Sequence, residues 1–251
     1  MVAQILLGVF FNFMSRLSEV IKLPSNGKLY DINELTIQNM TVAEEKFLLG
    51  SNGNKSISTI LSKCVLDGEK IDFNNLIEAD RFYLLVRIRC LTYGEDYDVN
   101  LRCANCNKTF EHTIKLSELD VDELDENFKD HWEFELPACK DVITMTIPRV
   151  KDNVENEKLA KKKSEKFHLN MDEVRYIFTM MLGIEKVNGQ DMLPDELYTY
   201  VSNLSGKDSA FIRKQMSQVK VGYDTNLETD CPHCGETFKF TLPMSSSFFL
   251  A

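Results

Sequence analysis

Two copies of one short cysteine motif, far apart in the chain, constrain the fold more than any other feature of the sequence. The first copy begins Cys103-Ala-Asn-Cys106 and the second begins Cys231-Pro-His-Cys234, and each continues into Thr-Phe-x-x-Thr at the same offset. A two-residue gap between cysteines lets both sulfurs turn toward one point, and two such pairs complete a tetrahedral site of the kind that structural zinc occupies. The sequence therefore predicts a Zn²⁺ site formed by these four cysteines.

The residues after each cysteine pair alternate as they do in a strand, which positions Phe110 and Phe238 to cover the metal. We interpret the two copies as the halves of a zinc ribbon. An alternative is a thiol-disulfide redox protein, since Cys-Pro-His-Cys also occurs in disulfide oxidoreductases. A redox cysteine needs a helix N-terminus to lower its pKa, whereas residues 235–242 have the pattern of a strand. His233 is predicted to be a solvated turn residue, because four sulfurs already close the site.

The acidic composition of the chain bears on its partners. The formal net charge is −10, and nucleic-acid binding relies on Lys and Arg side chains that neutralise phosphates. A zinc-ribbon nucleic-acid-binding protein is therefore a disfavoured alternative. Carboxylates are densest in residues 116–135, which we expect to form a solvated face.

Three of the seven cysteines lie outside the motif, namely Cys64, Cys90 and Cys139. Their apolar neighbours in the sequence predict buried thiols. An odd number of cysteines without the density of a disulfide scaffold indicates a reducing, intracellular compartment.

The first 14 residues are mostly apolar, but they are too few to span a bilayer. No basic residue precedes the apolar run, as one does in a secretory signal. Apolar side chains at helical spacing predict an amphipathic helix over residues 1–20. Such a helix packs on the core, docks on a partner or makes weak contact with a membrane surface.

Turn and capping signals organise residues 21–95. Pro24 and the Asn26-Gly27 dipeptide predict an extended arm that bends back on itself, followed by a short strand. Thr41 and Glu44 have the spacing of a capping box at a helix start. Apolar residues at three- and four-residue steps predict a buried helix from residue 74 to 93, with its arginines in solvated positions.

In this order, the segments resemble the baseplate proteins of T-even-type bacteriophages, a family that includes the hub assembly protein and a small hub subunit. The resemblance rests on L-P-S-x-G-x-x-Y in the arm, on M-T-x-x-E-E at the capping box, and on a helix that precedes a CxxC pair. The arm motif consists of Leu23, Pro24, Ser25, Gly27 and Tyr30. The resemblance implies that other tail and baseplate hub proteins are the partners and that these five residues contact a partner. It also implies a location in the host cytoplasm during infection or in the virion tail baseplate.

Between the cysteine motifs, residues 117–220 show a β-hairpin that turns around residues 137–141. A charged helix or hinge follows at 151–168, and further helical patterns lie at 172–182, 194–204 and 207–219. A strand at 223–227 leads into the second motif.

These patterns predict an α+β fold with a helical N-terminal part, a zinc ribbon of two CxxC hairpins, and a helical insertion between them. The predicted boundaries are 1–20 for the apolar helix, 21–95 for the arm and helices, 96–116 and 221–244 for the ribbon halves, and 117–220 for the insertion. We expect no enzyme activity, since no Ser-His-Asp arrangement, phosphate-binding loop or HExxH helix occurs. A four-cysteine zinc also lacks an open position for water. The sequence thus favours a non-enzymatic protein that assists assembly of the baseplate hub.

Overall fold

The computed structural model describes residues 16–48, 53–243 and 248, and this part of the chain has a mixed α+β architecture. Its helices are Val42–Leu48 (α1), Gly53–Cys64 (α2), Glu78–Tyr93 (α3), Val150–Phe167 (α4), Met171–Met181 (α5), Pro194–Ser202 (α6) and Gly206–Gln218 (α7). Its strands are Ser18–Lys22 (β1), Glu34–Gln38 (β2), Asp96–Arg102 (β3), Thr109–Lys115 (β4), Val121–Asp122 (β5), His131–Glu135 (β6), Val142–Thr146 (β7), Ile184–Val187 (β8), Gln190–Asp191 (β9), Gly222–Tyr223 (β10), Asn226–Asp230 (β11) and Thr237–Thr241 (β12).

The N-terminal part is an antiparallel β1–β2 hairpin that packs with the helices α1 to α3. Asn26 and Gly27 have φ values of 54° and 69° in the connecting turn. Positive φ at both positions is what the sequence predicts for a tight turn of this kind. One half of the Thr41–Glu44 capping box is formed, because the Thr41 backbone N–H donates to the Glu44 carboxylate at 2.8 Å. The Thr41 hydroxyl accepts from the Ala43 N–H at 3.3 Å.

Two antiparallel hairpins carry the cysteine motifs. β3 pairs with β4 from Asp96 opposite Lys115 to Arg102 opposite Thr109, and β11 pairs with β12 from Asn226 opposite Thr241 to Asp230 opposite Thr237. The residue before the first cysteine of each motif thus pairs with the first threonine of the same motif, at the same register in both hairpins. The repeat in the sequence is therefore also a repeat in the structure.

The chain between the hairpins is mixed rather than purely helical. β6, β7, β8 and β9 form one antiparallel sheet in that order, and α4 to α7 pack in the same region. β5 pairs with β10, which joins the start of this insertion to its end.

The buried apolar residues of the described chain form two clusters. The first joins the N-terminal part to both hairpins, and the second lies within the insertion. Helix α4 passes from one to the other, since Val150 and Val154 pack in the first cluster and Ala160 packs in the second.

Some element boundaries differ from the sequence predictions. The apolar helix was expected to reach residue 20, but Ser18–Lys22 is β1, where its residues pair with β2; residues 1–15 lie outside the described chain. Helix α3 begins at Glu78 rather than at residue 74, and the predicted strand at 223–227 is divided between β10 and β11. The charged segment at 151–168 was predicted to be either a helix or a hinge, and it forms the helix α4.

Candidate metal centre

The two CxxC turns have the same backbone hydrogen bonds. In the first turn the N–H of Cys103 donates to the carbonyl of Lys108 at 3.0 Å, and the N–H of Asn107 donates back to Cys103 at 3.0 Å. In the second, Cys231 donates to Glu236 and Gly235 donates back to Cys231, each at 2.9 Å. Each turn therefore holds its two cysteines in the same backbone geometry at the end of a hairpin.

A left-handed residue follows each cysteine pair and reverses the chain toward the second strand. Asn107 has φ 58° and Gly235, at the equivalent position, has φ 71°. Asn and Gly are the residues that enter this region at low cost, which accounts for their presence after the second cysteine of each pair.

The fold brings the four predicted ligands together. The Sγ atoms of Cys103, Cys106, Cys231 and Cys234 all lie within 4.8 Å of one another. The Cys103 and Cys234 sulfurs are 3.8 Å apart, and the Cys106 and Cys231 sulfurs are 3.7 Å apart. Thiolates about 2.3 Å from a tetrahedral zinc lie about 3.8 Å from each other, so the donor set and its spacing fit such an ion.

Burial and titration differ among the four thiols. Cys103 and Cys231 are buried, Cys106 is half-buried and Cys234 is exposed. Burial tends to raise the pKa of Cys231, but hydrogen bonds from the backbone N–H groups of His233 and Cys234 outweigh it and lower this pKa to about 7. A backbone hydrogen bond at Lys108 tends to lower the pKa of Cys106, yet desolvation and the neighbouring thiols raise it to about 11.

Aromatic rings from equivalent positions of the two hairpins contact each other. Phe110 and Phe238 make an edge-to-face contact at 6.1 Å between centroids, and His112 and Phe240 do so at 5.9 Å. His233 packs edge-on against Phe110 at 6.5 Å. The rings join one hairpin to the other, which positions the two cysteine pairs.

Comparison with known families decides the affiliation of the chain. Residues 14–250 match the model of a family described as T4 bacteriophage base plate protein. The chain belongs to this baseplate family. No curated protein and no solved structure matched it. Among the helices in the described part of this baseplate protein, none has the length and apolar character needed to cross a membrane.

The three cysteines outside the centre differ in exposure. Cys64 is buried, Cys90 is half-buried and Cys139 is exposed. The prediction of a buried thiol is therefore wrong for Cys139, because the loop between β6 and β7 carries it to the surface.

The structure places the arm motif mostly inside the protein. Leu23, Pro24 and Ser25 are buried, Gly27 is exposed and Tyr30 is partly exposed. The Tyr30 hydroxyl accepts a hydrogen bond from the backbone N–H of Ile77 at 2.7 Å, just before α3. The motif thus fixes the arm to α3, and partner binding by these residues stays a prediction.

Two buried charged residues of α3 escaped the sequence analysis. Asp80 is fully buried and accepts a hydrogen bond from the Ser25 backbone N–H at 3.0 Å. Arg89 was expected to be solvated, but it is 4% exposed, and its Nε donates to the carbonyl of Phe248 at 2.7 Å. Its guanidinium also lies 4.9 Å from the ring centroid of Tyr97. The Ser25 and Phe248 partners come from distant parts of the chain, whereas Arg89 also donates to the carbonyls of Gly94 and Asp96 just after the helix, each at 3.2 Å. The pattern of α3 itself carries no signal of the distant partners.

Proposed function

We propose that this baseplate protein is a non-enzymatic assembly protein of the tail baseplate hub, with one structural Zn²⁺ held by a zinc ribbon. The family match supports a structural or assembly role in the baseplate. The observation that carries the metal proposal is the convergence of four cysteine sulfurs from two equivalent hairpins.

The donor set favours a structural zinc over a catalytic one. Four thiolates complete a tetrahedral shell, so no position is left for water or substrate, and the ion stabilises the folded chain instead. Redox chemistry by the Cys231–Cys234 pair is the weaker candidate, since each of these sulfurs lies within 3.8 Å of a cysteine from the other hairpin. The second pair also leads into a strand rather than a helix.

As a structural element, the zinc would join residue 103 to residue 234 and so hold the insertion between two fixed ends. We propose that this arrangement presents the insertion and the arm to other tail and baseplate hub proteins, in the host cytoplasm during infection and in the virion tail baseplate. Residues 1–20 are a further candidate for partner docking or weak membrane-surface contact.

We expect the arm to contact a partner through the accessible residues at its tip. Gly27 and Tyr30 line an open cleft of about 440 Å³ together with Lys28 and Lys70. Lys28→Glu is expected to weaken binding to a hub partner without changing the melting temperature. Leu23→Ala removes a buried side chain and should lower the melting temperature. If Lys28→Glu binds every hub protein normally, the tip is not a contact.

The metal proposal is tested by zinc analysis of protein purified from infected cells. We expect one zinc per chain in the wild type and in Cys139→Ser, and none in Cys103→Ser or Cys231→Ser. Cys139 is a suitable control because it is exposed and lies outside the four-cysteine cluster. A wild-type protein without metal, carrying a reducible Cys231–Cys234 disulfide, would contradict the structural-zinc proposal and favour redox chemistry.

The assembly role is tested by complementation of a phage that lacks this gene. Cys139→Ser should restore plaques and baseplates seen by electron microscopy, whereas Cys103→Ser should not. Mass spectrometry of purified tails separates a hub component from an assembly factor that leaves. Normal baseplates in the absence of the protein would refute the assembly role.

A further inference from the structure

A groove lies where the C-terminal half of α4 meets Phe178 of α5 and the start of α6. It has a volume of about 360 Å³, at the lower end of the range of about 300–1,000 Å³ for ligand pockets. We call it the lysine groove and define it by Leu159, Lys162, Lys166, Phe167, Phe178 and Leu193.

Apolar side chains at the groove are open to solvent. Phe167 is 53% exposed and Leu193 is 67% exposed, while Phe178 beneath them is 3% exposed. Large apolar side chains that converge on a concave site are typical of a surface that binds a partner. The groove therefore offers a place for an apolar side chain of another molecule.

One lysine at the groove is already used within the fold. The Lys163 ammonium lies 2.7 Å from the Asp195 carboxylate and 4.2 Å from the Tyr198 ring centroid, and its side chain is 15% exposed. The other acidic residue here, Glu196, accepts the Leu193 backbone N–H at 3.0 Å. Both carboxylates thus have partners within the protein.

Lys162 and Lys166 differ from the other lysines of the same helix. The Lys158 ammonium lies 3.6 Å from the Glu155 carboxylate, and the Lys161 ammonium lies 3.9 Å from the Glu165 carboxylate. In the described ranges, neither Lys162 nor Lys166 has a carboxylate within ion-pair distance, and both are exposed. Both lysines act on the Asp195 carboxylate at longer range, and the Lys166 ammonium lies 5.0 Å from the Phe167 ring centroid. Two exposed positive charges outside any salt bridge, at the rim of an apolar groove, favour a negatively charged partner in a chain whose net charge is −10.

We propose that the lysine groove binds an acidic peptide segment of another protein, with an aromatic or aliphatic residue inserted between Phe167 and Leu193 and carboxylates against Lys162 and Lys166. Nucleic acid fits less well, because two lysines neutralise few phosphates. The groove is remote in sequence from the four thiolates, so its failure would leave the proposed zinc site and baseplate role intact.

The proposal is tested by selection from a displayed library of random linear peptides on the full-length protein. We expect enrichment of peptides in which Asp or Glu flank an aromatic or aliphatic residue. The affinity of a selected peptide should fall about tenfold or more in the Lys162→Glu/Lys166→Glu variant, since attraction becomes repulsion. Leu193→Ser should also weaken binding, through the apolar contact rather than through charge.

The matched control is Lys158→Glu/Lys161→Glu, which changes the net charge equally on the same helix but outside the groove. The affinity of this control variant for the selected peptide should stay within about twofold of the wild-type affinity. Melting temperatures of all variants verify folding, and zinc content verifies the thiolate centre separately.

Three results would overturn the proposal. One is enrichment of peptides without acidic residues, and another is equal loss of affinity in both double variants. The third is self-association of the wild type that Lys162→Glu/Lys166→Glu abolishes, which would assign the groove to a second copy of this chain.

Discussion

The first hydrophobic core draws on stretches of chain that are far apart, whereas the second is built from one continuous stretch. Residues 21–116 supply most of the first core, and Val150 of α4, Leu242 and Phe248 also belong to it. The second core uses residues 132–216 alone. A core closed by distant segments bears a larger loop-closure cost, so it gains most from a cross-link such as a metal.

The two regions also differ in how charge is buried. The first core contains Asp80 and Arg89, and the backbone of distant segments provides hydrogen-bond partners to both. The insertion is held mainly by apolar side chains around Phe178 and Ile212, with Asp208 buried at its edge. The comparison teaches that both regions pack around apolar cores, and that the first region also contains buried charges and the four-cysteine cluster.

Metal removal should produce the largest difference in stability between the two regions. Chelation, or Cys103→Ser with Cys231→Ser, should release amide protection in β3, β4, β11 and β12 while α5 and α7 stay protected in hydrogen exchange. Structural zinc contributes on the order of 10 kcal/mol in small domains, and we expect a loss of several kcal/mol here. Cys139→Ser is the control. Equal loss of protection in α5 and α7 would show that both regions unfold as one unit.

The reverse experiment weakens the insertion. Ile212 is fully buried in the second core, so Ile212→Ala should cost about 2–5 kcal/mol, and Ile212→Val about 0.5–1.5 kcal/mol. Zinc content should be unchanged in both variants, measured beside the free energy of unfolding. Loss of zinc in Ile212→Ala would mean that the insertion core supports the thiolate centre.

Substitution of the buried Asp80 tests how much its hydrogen bond stabilises the first region. Asp80→Ala leaves the Ser25 N–H without its acceptor, at a cost of about 1–3 kcal/mol. Burial raises the pKa of Asp80 in the folded protein, although Ser25, Tyr30 and Arg149 act in the opposite direction. The stability linked to this shift is fully present below the unfolded-state pKa of about 3.9 and is lost as pH rises through the folded-state pKa.

Asp80→Asn removes this titration and keeps an acceptor oxygen for Ser25. The free energy of unfolding, measured by denaturant titration at several pH values, should therefore increase in the Asn variant relative to the wild type as pH rises. A constant difference between the two proteins across that range would argue against a raised pKa for Asp80.

The smallest expected effect lies at the matching turns of the two hairpins. Gly235→Ala should cost about 1–2 kcal/mol through its left-handed backbone alone, since no heavy atom of the described chain beyond its two sequence neighbours lies within 4 Å of the added Cβ. Gly235→Asn should cost less, because Asn107 adopts the same conformation at the equivalent position. Thermal unfolding of the zinc-loaded proteins measures both, and equal costs would show that the two turns are not interchangeable.

The sequence by itself determined the four-cysteine cluster, the hairpins beside it and the starts of α1, α5 and α7 to within a residue. These features follow from local rules: cysteine spacing, strand alternation, and caps such as Thr41, Asn170 and Ser205, whose contacts lie within a few residues. The repeat of the motif also fixed the pairing of the two hairpins, because each supplies only half of a site.

Only the tertiary structure decided the features that depend on distant neighbours. Arg89 is buried partly against Phe248, which lies 159 residues further along the chain and supplies one of its acceptors. Ser18–Lys22 is a strand because β2 pairs with it, and the lysine groove exists because α6 starts beside α4. A local pattern describes the faces of one element, whereas burial and charge pairing depend on which other elements pack against it.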